Sequence, residues 1–170
     1  MEQFKKKEAN LVSLILKEES SGLNIEGDND ISGILKGNES IKSNKDEPEL
    51  LLYIKFKDNV NITKILIDSK AENEDNKPEI LKIFCNSSNL DFSDAATNNA
   101  TELIKLEGKF NTKISINASK FRRITQLTLY FTRENSDFIQ LDSLQFYGRP
   151  GEGLINIGQL KKLEEKKQFK

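Results

Sequence analysis

A chain of 170 residues falls within the roughly 100–200 residues typical of one domain, and such a length buries about 70% of its unfolded surface without a metal or disulfide. Zero histidines and a single cysteine, Cys85, exclude Ser–His–Asp and Cys–His catalysis, zinc cages, internal disulfides and CxxC redox chemistry within this chain. A formal net charge of −1 provides no global attraction to nucleic acid or to an anionic membrane, so neither is expected as a partner.

Residues 1–20 admit two readings: Leu11, Leu14, Ile15 and Glu18 fall at helical spacing, but the apolar part is short and an edge segment would look the same. LVSLIL (Leu11 to Leu16) is far below the ~18–20 residues of a membrane span and lacks the flanks of a signal peptide. Residues 26–49 carry seven Asp and Glu against Lys36, Lys42 and Lys45. Their Gly27, Gly33, Gly37 and Pro48 predict loops and turns, with DISGIL (Asp30 to Leu35) as one short helical turn.

From Leu50 the period is two. Leu52, Ile54 and Phe56 alternate with Leu51, Tyr53 and Lys55, and Asp58-Asn59 has turn chemistry before the next strand. In that strand Val60 and Ile62 share one parity and Ile65 and Ile67 the other, which predicts a bulge near Thr63-Lys64. A polar loop follows (Ala71 to Pro78), then EILKIFCN with Leu81, Ile83 and Cys85 on one face. Leu90 to Ala100 reads as a loop with a short helical turn. Four more strands follow in TELIKLE, KISIN, ITQLTLYFT and FIQLDSLQFYG, the last two separated by a turn at ENSD. Their expected inward residues are Leu103, Ile114, Ile116, Leu127, Leu129, Phe131, Leu141, Leu144 and Phe146.

Short strands with polar turns and no long helices predict an all-β antiparallel sandwich or barrel. The predicted layout is an N-terminal extension over 1–10, a β domain over 11–150 and a basic tail over 151–170. Lysine outnumbers arginine 22 to 4 and isoleucine outnumbers valine 18 to 2, which reads as AT-rich coding bias.

ELLLYIKF, PEILKIFCNSSNLDFSDA, FRRITQLTLYFTREN and LDSLQFYG, in that order and spacing, resemble the PITH domain, the proteasome-interacting domain of thioredoxin-like proteins. The resemblance extends upstream through LVSLILKEESSGLNIEGDNDISGIL and covers roughly residues 11–150. This sequence departs from the family pattern at Lys55, at Glu47-Pro48-Glu49 and at Ile139. The resemblance implies a jelly-roll sandwich similar to galactose-binding domains, and association with the 26S proteasome through its regulatory particle. No thioredoxin domain is present in the sequence, so the chain looks like a stand-alone member or a domain of a longer protein.

Among candidate sites, Cys85 shares strand parity with Leu81 and Ile83 and reads as an inert core thiol. The carboxylate groups Asp28/Asp30, Asp46/Glu47/Glu49, Glu72/Glu74/Asp75 and Asp91/Asp94 lie in polar loops without the apolar cleft that a glycosidase pair needs. GDNDISGIL lacks the spaced ligands of a calcium loop. Asn86 and Asn135 match positions where the family usually has Asn and read as turn-formers. Arg122-Arg123 reads as a surface pair bridging nearby carboxylates. No catalytic residue, cofactor or metal is expected.

The leading expectation is a monomeric, non-enzymatic interaction module of the cytoplasm, extending to the nucleus, that docks on the proteasome. Its contacts are expected at Asp46, Glu47 and Glu49 of the acidic arm, at Arg149, and at Lys161, Lys162, Lys166 and Lys167 of the basic tail. The alternative is a small-ligand or carbohydrate-binding jelly-roll domain, weakened by the absence of tryptophan.

Overall fold

The alternation that starts at Glu49 runs unbroken through the expected turn. In the computed structural model, which describes residues 8–87 and 89–151, Glu49–Asp68 is one 20-residue strand, β4. Asp58-Asn59 forms no hairpin. Lys55 lies opposite Gln126 and Val60 opposite Ile124 on the neighbouring strand β8 (Ile124–Thr132), so the ladder jumps between them. There β4 turns a corner and leaves one sheet for the other. The local bond from Asn59 N–H to Asp58 Oδ1, 2.8 Å, is the turn chemistry seen in the sequence, spent on a bend within a strand.

The corner makes the sandwich. The first half of β4 lies between β2 (Ser21–Leu23) and β8, and β8 continues to β5 (Ile80–Cys85) and the edge strand β6 (Glu102–Lys105). The second half lies between β7 (Thr112–Ser115) and β10 (Ser143–Pro150), with β1 (Ala9–Asn10) outside β10. A short ladder of β3 (Ile41–Lys42) with β9 (Gln140–Leu141) stands apart. All these pairs are antiparallel. The architecture is the antiparallel sandwich that the alternation predicts, in the jelly-roll form that the family resemblance implies.

Between the sheets lie Leu52, Ile54, Ile83, Leu127, Leu129 and Phe131 from one side and Ile62, Ile65, Ile67, Leu144 and Phe146 from the other, all essentially buried. Burying each such side chain contributes about 1.5–3 kcal/mol. Phe56 and Phe146 meet edge to face at 6.0 Å where β4 turns. The predicted bulge falls at Thr63: Tyr147 opposes Lys64 and Gly148 opposes Ile62, so Thr63 has no partner. That extra residue brings both Val60/Ile62 and Ile65/Ile67 inward, although their parities differ.

One expected inward residue needs correction. Leu103 does not face the core; it is 53% exposed, while Ile104 and Leu106 are buried. Ile104 lies opposite Leu81, and Leu103 lies opposite Lys82 on the outer face. The helical spacing of Leu11 and Leu14 marks a single 3-10 turn (Leu11–Leu14), after which Ile15 bridges to Phe56. Among the described residues both α-helices are short. α1 (Ser32–Lys36) buries Ile34 and Leu35 and ends on Gly37 at φ 75°, and α2 is Phe92–Thr97.

Candidate functional site

The start of β4 is the point where three distant loops converge. Asp46 N–H donates to Asp137 O at 2.7 Å, and Arg133 N–H donates to Pro48 O at 3.2 Å. Asn76 Nδ2 donates to Phe138 O at 3.0 Å, and Arg133 donates to Lys77 O at 3.1 Å. Loops 44–49, 72–77 and 133–138 therefore form one rim at this end of the sandwich. They carry eight Asp and Glu against Lys45, Lys77 and Arg133. Two of those cations are already paired, Lys77 with Glu74 at 3.0 Å and Arg133 with Asp75 at 3.5 Å.

Asp46 and Glu47 are exposed on this rim, and Asp46 holds a left-handed backbone at φ 66°. Glu49 is half-buried; its Oε1 accepts from the Tyr130 hydroxyl at 2.7 Å. Burial, then that carboxylate, hold the Tyr130 pKa well above the ordinary tyrosine value. Glu49 thus anchors the rim and leaves Asp46 and Glu47 to present charge. Sequence counting found the acidity of residues 26–49; the contributions of 72–77 and 133–138 come from contacts between loops far apart in the chain.

Arg149 is not part of this rim. It sits half-buried on β10 opposite Asn61, past the corner of β4. From Glu49 to Lys57, before the corner, the strand already rises roughly 26 Å at ~3.3 Å per residue. Lys161, Lys162, Lys166 and Lys167 lie outside the described residues.

The remaining candidates have local roles. Cys85 is half-buried against the core, and desolvation pushes its thiol up to about 11, opposed by a hydrogen bond with Thr101. It is less enclosed than its strand parity suggests, and it is not activated. Asp30 accepts from Ser32 N–H and Oγ, and those bonds hold its pKa low. Asp91 and Asp94 form the capping box of α2. Asn86, at φ 54°, accepts from Thr125 N–H at 2.8 Å and donates to Arg123 O at 3.2 Å. Asn135 is left-handed at φ 59°. Both asparagines do the backbone work expected of them.

The outer face of the first sheet carries a second, smaller core that alternation alone would assign to solvent. Leu51, Phe84 and Tyr130 are buried there beneath Ala95 of α2. Phe92 packs on Tyr130 edge to face at 6.1 Å. The Lys82 ammonium ties the helix down by donating to Ala95 O at 2.7 Å and Asn98 O at 2.8 Å. Beside this patch is an open cleft of ≈ 570 Å³ between Glu19, Lys55, Asn89 and Asp91. Its lining includes Tyr53, whose hydroxyl donates to Leu90 O, and the Glu19–Lys55 pair at 3.0 Å. Among the described residues no cluster of His, Cys, Asp or Glu is arranged to hold a metal ion.

The fold is shared with solved carbohydrate-binding modules. The family 32 module of NanJ from Clostridium perfringens, solved with galactose, superposes with a TM-score of 0.52 at 12% identity, covering 83% of this chain and 99% of that one. A family 89 glycoside hydrolase of the same organism gives a TM-score of 0.52 at 14% identity, covering 82% of this chain and 15% of that one. At these identities the likeness is one of fold. In sequence the chain is 26% identical over 151 residues to thioredoxin-like protein 1 of Schizosaccharomyces pombe, covering 84% of this chain and 51% of the relative. The chain therefore spans about half the length of that relative. The PITH domain family model matches residues 2–166, nearly the whole of the sequence, and the chain belongs to the PITH domain family.

Proposed function

We propose that this domain is a non-catalytic docking module that binds the 26S proteasome through its regulatory particle as a monomer, in the cytoplasm and nucleus. The observation that carries this reading is the family match over residues 2–166, since PITH domains are the proteasome-interacting parts of thioredoxin-like proteins. The charge layout supports it. An acidic rim on a rigid sandwich and a lysine-rich tail can meet patches of opposite sign on one large assembly, with rim charges mainly raising the association rate. The carbohydrate reading gains no support beyond the fold: among the described residues the large exposed hydrophobics are Leu23 and Leu103, and neither supplies an aromatic face for a sugar.

The test is retention of assembled proteasome by the immobilised full chain at two salt concentrations. Parallel arms carry Lys161, Lys162, Lys166 and Lys167 reversed to Glu, or Asp46 and Glu47 reversed to Lys. The full chain should retain proteasome, and both reversals should slow association, more so at low salt because screening acts beyond ~8 Å at physiological ionic strength. If the unaltered chain retains no proteasome, the proposal is wrong.

A further inference from the structure

The chain holds only four arginines among 26 basic residues, and three of them gather at one place. Asn61, just past the corner of β4, lies opposite Arg149 on β10. The Asn61 Oδ1 accepts from Arg123 N–H at 2.9 Å, and Ile62 N–H donates to Phe121 O at 2.9 Å. Arg122 and Arg123 are thus held on one flank of this stretch and Arg149 on the other. With Lys57 and Lys120, this end of the sandwich carries five cations against Asp58 in segments 56–61, 118–124 and 148–151. The acidic rim is at the opposite end of the first half of β4. The fourth arginine, Arg133, is occupied by Asp75 at 3.5 Å. Among the described residues, Arg123 and Arg149 have no carboxylate at ion-pair distance, and Arg122 has an interaction of its own.

A second observation is independent of charge. Arg123 has φ 53°, a left-handed conformation that is strained for an ordinary L-residue. Both flanking peptide groups are fixed by asparagine side chains: Arg123 N–H by Asn61 Oδ1, and Arg123 O by Asn86 Nδ2 at 3.2 Å. Glycine or asparagine would hold this position without the penalty. Its occupation by an exposed arginine, in a chain that uses lysine almost everywhere else, points to the guanidinium as the reason the strain is kept. A guanidinium offers a planar fork that meets a carboxylate through two parallel hydrogen bonds, which lysine cannot do.

We infer that the corner of β4 is a carboxylate-recognition surface, on which Arg123 and Arg149, supported by Arg122, grip an acidic segment of a protein partner. A long polyanion such as nucleic acid is the poorer fit, because the remainder of the molecule is net acidic and its opposite rim repels phosphate. The inference deepens the reading of the domain as a protein-docking module by assigning it a second contact, opposite in sign to the acidic rim.

The test uses the full chain, the single variant R123N, the conservative variant R123K, and the triple variant R122Q/R123N/R149Q. The probes are a fluorescent glutamate-rich 20-residue peptide, its glutamine counterpart and an oligo-dT of equal length, read by anisotropy at two salt concentrations. The unaltered chain should bind the glutamate peptide in preference to both other probes, and added salt should weaken that binding. The triple variant should lose about tenfold to a hundredfold in affinity. R123N should weaken binding and yet raise the melting temperature by about 2–4 °C as the strain is released; a merely structural arginine would lower it. R123K should bind more weakly than the unaltered chain while keeping the charge. Equal peptide binding by the triple variant, or tighter binding of the oligonucleotide than of the peptide, would overturn the inference. Retention of proteasome separates the two readings. If the triple variant retains proteasome as well as the unaltered chain does, the inference fails and the proposed function stands. If the unaltered chain retains none, the proposed function fails, and the peptide measurement still decides the inference.

Discussion

Replacing Gly148 with alanine should be among the most damaging single-methyl changes available in this domain. A Cβ built at Gly148 falls 1.9 Å from Asn61 O, 2.9 Å from Asn61 C and 3.0 Å from Ile62 Cα. The first contact is about 1.5 Å short of an ordinary van der Waals approach at 3.4 Å, and every atom met belongs to backbone. No side chain can rotate away, so β10 must move off β4 at the bulge where Gly148 opposes Ile62. Overpacking alone costs about 1–3 kcal/mol, and each ladder hydrogen bond lost beyond the bulge adds about 0.5–1.5 kcal/mol. We expect a loss of about 3 kcal/mol or more. For a domain of this size that is a melting temperature lower by about 6–12 °C, with a parallel fall in the urea midpoint. Gly27→Ala is the control. Gly27 sits at φ 74° with nothing within 4 Å of its would-be Cβ, so it should cost only about 1 kcal/mol, from left-handed strain without collision. The readout is far-UV circular dichroism of both variants through heat and urea unfolding. If Gly148→Ala melts no lower than Gly27→Ala, β10 is free to shift against β4, and the close approach at Gly148 does not constrain the fold.

Three further outcomes follow from the same geometry. Leu103→Asp should leave stability within about 0.5 kcal/mol, whereas Ile104→Asp places a charge against Leu81 and should prevent folding at 37 °C; expression yield and thermal melts check the pair. Cys85 should resist a thiol reagent at pH 8 and react once denatured. Its folded pKa of about 11 lies above its unfolded value near 9, so its stabilising share is complete below pH 9 and lost as pH rises toward 11. That alkaline loss should be smaller in Cys85→Ala. Asn86→Ala should cost about 2 kcal/mol, through lost bonds to Thr125 and Arg123 and left-handed strain, and Asn86→Gly about 1 kcal/mol because only the bonds are lost; equal losses in urea melts would show that the backbone at 86 is unstrained.

The period of two, the polar turns and the parity switch after Ile62 determine the elements of this protein locally. A side chain that alternates must face one side or the other of a pleated sheet, and a switch of parity needs an extra residue. The left-handed roles of Asn86 and Asn135 are legible for the same reason, since asparagine tolerates that conformation through bonds to its own neighbourhood. What the tertiary structure decided is everything that depends on pairs far apart in the chain. β4 passes through Asp58-Asn59 without turning back because β8 and β10 pair with its two halves in succession, a choice that no local window contains. The inward parity of β6 rests on whether Leu103 or Ile104 meets Leu81, and either register satisfies TELIKLE by itself. Leu51, Phe84 and Tyr130 look solvent-facing until α2 folds over them. The charged ends have the same origin: loops 44–49, 72–77 and 133–138 become one acidic rim, and Arg123 and Arg149 come to flank Asn61. Charge in a sequence is a sum along the chain; a surface that recognises a partner is a sum over space, and the hydrogen-bonded topology of the sandwich converts one into the other.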